Sequence, residues 1–308
     1  MSGYIEYKEG STLSGFKYDP NRTYEKLEQV KRDPFITEIG LKSMLNGSNM
    51  FLNDPEVYEL LNSPDVDEDR KSGISTSFKA EYLDLLILKY TIGDPIDEMI
   101  PLATRAFKEF DRHYHEYTKM MHTYYPKYIK SEDDSKYSLL GNNDYQYIFW
   151  LLSLAYLLGQ DEYIPKIATW FSHREQDGRD PLMAAIFARL GCSDIPAGEE
   201  LLHPMGYSDL WDIINHLEND KAIQSNSMTN YLRGWYQNVI GKTVWKGTDR
   251  EEKVAIGAYF GLWSFEAALI TVLYGLDDKE YRDMTFYPKD LVDYSRSTRE
   301  LVVSGGGN

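Results

Sequence analysis

From about residue 75 onward, apolar positions recur three and four residues apart, the spacing of one buried face on an α-helix. SFKAEYLDLLILKYTIG (77–93) and GDPIDEMIPLATRAFKEFDRHYHEYTKMM (93–121) read as consecutive helices. Gly93 stops the first; Asp94 is the expected cap of the second, with Pro95 in its first turn. DYQYIFWLLSLAYLLG (144–159), DEYIPKIATWF (161–171) and RDPLMAAIFARLG (179–191) follow, then SDLWDIINHL (208–217) and a helix over 220–239. One rhythm recurs as YTIGDPIDE, YLLGQDEYI, ARLGCSDIP and LYGLDDKEY: apolar helix, glycine, acidic turn, next helix. Alternating strand patterns and hairpin turn signals are absent. The pattern therefore predicts an all-α chain of two helical domains built from stacked helix hairpins. The spacing varies too much for a fixed-period repeat array. Acids in such turns are expected as N-caps worth about 1 kcal/mol each, one of Asp277 and Asp278 among them.

The first 70 residues have a different texture. Short helical pieces, FITEIGLKSML and PEVYELL, lie between Gly, Asn and Pro breaks. PDVDEDRK (64–71) and SEDDSKYSLLGNND (131–144) read as solvated linkers. The expected division is an N-terminal extension over 1–70, a helical domain over 71–196, a second over 197–298, and a disordered tail over 299–308.

The most apolar stretch runs from Val254 to Leu276, where Glu266 is the only acid or base. Its length approaches a membrane span. A glutamate at a bilayer centre costs on the order of 2 kcal/mol or more, no Lys/Arg cluster flanks the stretch, and the mean hydropathy of the chain is -0.50. The stretch is therefore expected as a central buried helix surrounded by others. Glu266 then needs a partner, or must open onto a cleft.

Composition narrows the function. Of 308 residues, 42% are hydrophobic, enough for a sizeable core. Cys192 is the only cysteine, so no disulfide within the chain and no Cys-based zinc site can form; a reducing, cytoplasmic setting fits. The start, MSGYIEYKEG, carries no signal-peptide pattern. Acids outnumber bases 49 to 33, a net charge of -16. That balance argues against direct nucleic-acid binding and suits a basic protein partner, whose approach the field would accelerate. Most of the 25 tyrosines are expected to fill gaps between helices.

Catalytic motifs are not found. His113, His115 and His122 lie close in sequence, but not in the order or spacing of a zincin. Glu200 and His203 form a single Glu-x-x-His, where a di-iron bundle needs two. P-loop, dinucleotide and nucleophile-elbow patterns are missing. The expectation is no metal and no cofactor, with a metal-dependent hydrolase built on the histidines, or a helical scaffold for another protein, as the alternatives.

YFGLWSFEAALITVLYGLDDKEYRDMTFYPKDLVDYSR (259–296) resembles the C-terminal signature of the immunity proteins that neutralise polymorphic nuclease effectors, the PoNe–PoNi systems of bacterial antagonism. The likeness runs through Tyr259, Gly261, Trp263, Phe265, Glu266, Ala267, Ala268, Asp277, Asp278, Tyr281, Asp283, Tyr287, Pro288, Asp290 and Leu291. Leu262 stands where the pattern has an aromatic, and Phe286 where it has a tyrosine. Upstream helices resemble the family's N-terminal domain more loosely, so the likeness covers about residues 75–296. It implies a cytoplasmic, non-enzymatic immunity protein whose partner is a basic DNase toxin of the PD-(D/E)xK type, delivered to rivals by a secretion system such as type VI. Occlusion of the toxin's cleft by Glu266, Asp277, Asp278, Glu280 and Asp283 would fit that role. Glu266 keeps two readings, a buried structural acid or a groove residue facing the toxin. Trp263 and Phe265 are expected in the core, Asp290 in the first turn of a helix. The sequence leaves a homodimer open.

Overall fold

The computed structural model describes residues 27–216 and 221–305. Among them the chain forms thirteen α-helices and short 3-10 turns, with no strand beyond an isolated Tyr137–Phe171 bridge. In order the helices are α1 (Leu27–Val30), α2 (Glu38–Leu52), α3 (Pro55–Asn62), α4 (Glu68–Thr91), α5 (Ile100–Tyr124), α6 (Asn142–Leu157) and α7 (Ile164–Trp170). They continue as α8 (Pro181–Arg189), α9 (Pro204–Asn215), α10 (Lys221–Asn238), α11 (Glu251–Ala255), α12 (Phe265–Leu273) and α13 (Lys289–Gly305). The all-α architecture expected from the spacing of apolar residues is the one observed.

Packing divides the chain into two units that are not consecutive. Of the described residues, the first comprises those up to 130 and 247–262, the second 131–246 and those from 263 on. In the first unit α4 and α5 form an antiparallel hairpin. Ser75 meets His113, Lys79 meets Phe110 and Tyr82 meets Arg105, the descending register of two helices running in opposite directions. Phe78, Leu86, Leu102, Phe107 and Phe110 lie buried along this seam. The returning segment is tied in by Thr91, whose hydroxyl donates to the Phe260 carbonyl at 2.7 Å, and by the Tyr259 hydroxyl, which donates to Asp33. A segmentation by composition, with boundaries near 70 and 196, cannot register such a return, because nothing in residues 247–262 announces where they will pack.

The second unit is built around α6 and α12, both buried nearly all round. Trp150, Leu154 and Phe149 of α6 and Phe265, Leu269 and Ile270 of α12 have almost no exposure. α13 closes over α6 and α12, while α9 and α10 pack as a pair.

Several local expectations change. The apolar run from Val254 to Leu276 is not one helix: α11 ends at Ala255 and α12 starts at Phe265. Between them Gly257 and Gly261 take φ of +75° and +109°, a region that breaks helical continuity and that few other residues reach. Asp94 does not cap a helix; it is buried in an ion pair with Lys89 at 2.5 Å. Half of the acidic linker at 64–71 belongs to α4, with Asp67 as its N-cap accepting from the Arg70 amide. The helix at the C-terminus continues to Gly305, past the point where a disordered tail was expected. Residues 1–26 of the expected N-terminal extension and 306–308 of that tail lie outside the described residues.

Candidate functional site

Glu266 occupies the first turn of α12 with no exposed surface. One carboxylate oxygen accepts from the Tyr231 hydroxyl at 2.7 Å and from the Trp235 indole N–H; the other accepts from the Gln146 amide at 3.3 Å. Tyr231 and Trp235 sit four apart on α10, so one helix face delivers both donors. The Gln146 carbonyl in turn accepts from the Tyr207 hydroxyl. Beside this network, Tyr145 donates to Asp180 at 3.1 Å, and Asp180 accepts from the Met183 and Leu202 amides, capping α8. Buried polar groups thus join four helices, α6, α9, α10 and α12. Burial pushes the Glu266 carboxyl up, against the opposing pull of Tyr231, of its own backbone and of Trp235. Of its two sequence readings, the buried structural acid is the one the geometry supports. As a toxin-facing residue Glu266 is corrected, because no atom of it reaches the surface.

The acids after α12 play two parts. Asp278 is buried and accepts from Arg296 at 2.9 Å, from Arg282 at 3.0 Å and from the Tyr287 hydroxyl at 3.2 Å. Arg282 also clasps Asp293 on α13, and Arg296 reaches back to the Leu276 carbonyl at 2.7 Å. Burial alone would raise the Asp278 carboxyl, but the hydrogen bond and charge of Arg296, with Arg282, hold it below its ordinary value. Asp278 therefore clamps the turn to α13 rather than capping a following helix. Asp277, Glu280 and Asp283 face solvent. Asp277 accepts from the Lys279 amide at 3.1 Å, and Asp283 pairs with Lys289 at 2.6 Å, which lowers its carboxyl. Glu280 has no ion pair among the described residues. Beside the turn lies an opening of about 520 Å³ lined by Tyr156, Lys221, Asp277, Arg296 and Arg299 among others. Two of its cations already have carboxylates, Arg296 with Asp278 and Arg299 with Asp161.

The sequence matches the family of PoNe immunity proteins (PoNi) twice, its N-terminal part over residues 32–169 and its C-terminal part over 178–291. The chain belongs to the PoNi family. Membership assigns it to the immunity proteins, which bind and neutralise a cognate toxin. No curated protein matches significantly. Among solved structures, the protein PA2201 from Pseudomonas aeruginosa is similar at a TM-score of 0.63 and 19% identity, over 89% of this chain and 94% of that one. That likeness speaks for the fold alone. The N-terminal family match starts at residue 32, so the likeness reaches upstream of the residues in which sequence reading found it.

The C-terminal signature now has a physical meaning. Trp263 and Phe265 are buried as expected, and Asp290 stands in the first turn of α13. Tyr281 meets Thr271 through their hydroxyls at 3.0 Å. Glu266, Asp278, Tyr281 and Tyr287 are thus held by partners inside their own unit, and they build it. Sequence reading missed those partners: Gln146, Tyr231 and Trp235 for Glu266, with Tyr207 behind Gln146, and Arg282 and Arg296 for Asp278. The four-residue spacing of Tyr231 and Trp235 was the visible signal.

The histidines do not assemble. His113 is buried against Ser75, its Nδ1 at 3.0 Å from the hydroxyl. Burial, and Lys79 beside it, push the imidazole down to about 3, so it is neutral. His115 and His122 are exposed. Among the described residues no three His, Cys, Asp or Glu side chains are grouped to hold a metal, and no helix is long and apolar enough to cross a membrane.

Proposed function

We propose that this PoNi-family chain protects its producer by binding a secreted DNase toxin of the PD-(D/E)xK type in the cytoplasm and excluding DNA from its cleft. The match over both halves of the chain carries the reading. Charge supports the finer part of it. A DNase must offer positive groups to phosphate, and a chain of net charge -16 is complementary to such a face. The exposed acids Asp277, Glu280 and Asp283 serve as rim charges in this reading, acting through encounter rather than through the packed centre of a contact. Glu266 and Asp278 act indirectly, by keeping α12, α13 and the turn between them in place.

Co-expression with the product of the neighbouring gene, asking whether its lethality is rescued, tests the proposal, together with titration of any DNase activity of that product. The expected result is rescue of growth, and loss of DNA cleavage that is complete near equimolar chain. Rescue without inhibition of DNA cleavage would retain immunity but overturn the DNase mechanism. Failure of both would overturn the function.

A further inference from the structure

α2 is apolar on two faces. Its inner face, with Leu41, Met44, Leu45 and Leu52, is buried in the first unit. Its outer face carries Ile39 and Met50, 71% and 72% exposed, the two most exposed large apolar side chains among the described residues. Eleven positions separate them, about three helical turns, so they stand on one line. Ser43 and Asn46, both exposed, lie between them on that line. The steps 39, 43, 46, 50 are those of a seam along which one helix meets another.

The chain after α11 widens this surface. It passes so close to α2 that a Cβ on Gly257 would lie 2.6 Å from the Met44 amide nitrogen and 2.9 Å from the Ser43 carbonyl carbon. That contact brings Ile256, 64% exposed, next to the seam, with Ala255 and Ala258 also exposed.

Charge and symmetry decide between partners. The stripe itself is uncharged, in a chain of net charge -16. The charges at its edges offset one another: Glu38 pairs with Lys42, and exposed Arg250 and Lys253 accompany exposed Glu251 and Glu252 on α11. Asp54, past the C-terminal end of α2, is turned onto the Glu56 amide at 2.9 Å as the cap of α3. A basic face would find no carboxylate on the stripe to pair with. A second copy of the chain, repelled by net charge elsewhere, meets least repulsion here.

Symmetry points the same way. Positions 39 and 50 share their midpoint with positions 43 and 46, so the stripe reads apolar, polar, polar, apolar in either direction. An antiparallel copy sets Ile39 on the partner's Met50 and Ser43 on the partner's Asn46. Such reciprocity is what a two-fold contact requires, and a contact with an unrelated protein has no use for it. A polar pair in the middle is a means of fixing the register of paired helices. Gly47, where an added Cβ would meet nothing within 4 Å, lets the second helix come close.

We propose that the outer face of α2, with Ile256 beside it, is the contact of a two-fold homodimer in which α2 packs antiparallel on α2 of a second copy. The dimer stands or falls independently of the toxin reading.

Sedimentation velocity of the full-length chain should show a species of twice the 35.7 kDa of one chain. Ile39→Glu with Met50→Glu puts like charges into the contact. Both positions are exposed, so the variant should keep its helical content. Its dimer dissociation constant is expected to rise about 100-fold or more. A second measurement reads the register. Cys192 is the only cysteine, so Cys192→Ser gives a background in which new thiols report on α2 alone. Chains carrying Ser43→Cys are mixed with chains carrying Asn46→Cys and mildly oxidised. The mixture should give more disulfide-linked dimer than either chain alone, because only the crossed pair faces itself at bonding distance. A wild type that stays a single chain even at about 100 µM overturns the inference. So does a dimer that Ile39→Glu with Met50→Glu leaves intact, or cross-linking no greater in the mixture. A monomeric wild type whose binding to the neighbouring gene's product is lost in that variant would assign the stripe to the toxin instead, and the inference would be wrong.

Discussion

Glu266 shows how a single charge can sit in a core when the surrounding side chains are all donors. Its three donors come from α6 and α10, and none of them is a cation. Removing the acceptor leaves buried donors unsatisfied at about 1–3 kcal/mol each. Glu266→Ala should therefore lose about 3 kcal/mol or more in urea unfolding, and Glu266→Gln, which keeps an acceptor oxygen, about 1 kcal/mol. The pH dependence has a defined sign. Burial raises the folded pKa above the ordinary 4.5, so between 4.5 and the folded value the native state binds the proton that the unfolded chain has released. The contribution of Glu266 to stability is full below 4.5 and falls as pH climbs through the folded value. Melting curves from about pH 4 to pH 8 should show the wild type losing ground relative to Glu266→Gln across that window. Asp278 behaves oppositely. Its pKa is lowered, so its contribution is present above the ordinary 3.8 and is lost as pH falls through the folded value. Asp278→Asn should cost about 2 kcal/mol at neutral pH, less than a fully buried pair because Arg282 and Arg296 keep some water contact.

The four helix ends marked by glycine in the sequence share one geometry. Gly93, Gly159, Gly191 and Gly275 all have positive φ. After each, the next amide bonds back five residues, Asp94 to Lys89, Gln160 to Ala155, Cys192 to Phe187 and Leu276 to Thr271. This is the Schellman closure, and it was legible because the glycine requirement is local. The glycines differ in what surrounds them. A Cβ at Gly93 would lie 1.9 Å from the Val30 carbonyl oxygen, whereas one at Gly191 would meet nothing within 4 Å. Gly191→Ala should cost only the left-handed conformation, about 1–2 kcal/mol. Gly93→Ala should cost about 3 kcal/mol or more, since backbone must also move. Thermal unfolding of the two variants checks the difference. The break between α11 and α12 was harder to read, because the residues on both sides are equally apolar and periodicity alone does not reveal an irregular segment.

On the scale of the whole molecule, the net charge of -16 acts on encounter with a partner more than on the fold. If toxin binding uses that field, the association rate measured by stopped flow should fall about tenfold or more as ionic strength rises from low to physiological, while dissociation changes little. An Asp277→Asn, Glu280→Gln, Asp283→Asn variant should associate more slowly and keep its stability. Their charges face solvent, and the clamp made by Asp278, Arg282 and Arg296 remains in place.

Some properties of this protein follow from neighbours in sequence. Helical periodicity, glycine stops and the cap at Asp180 depend on residues a turn or two apart, and the linear order of the signature carried the family resemblance. Other properties depend on which distant segments meet. Tyr231 and Trp235 lie more than thirty positions from Glu266, Arg296 eighteen from Asp278, and Asp33 226 from Tyr259. The return of residues 247–262 to the first unit, the inward turn of Glu266 and Asp278, and the outward turn of Ile39 and Met50 were decided there. Burial and hydrogen-bond partnership are properties of assembled helices, and the same residue types would be consistent with either placement until the helices pack.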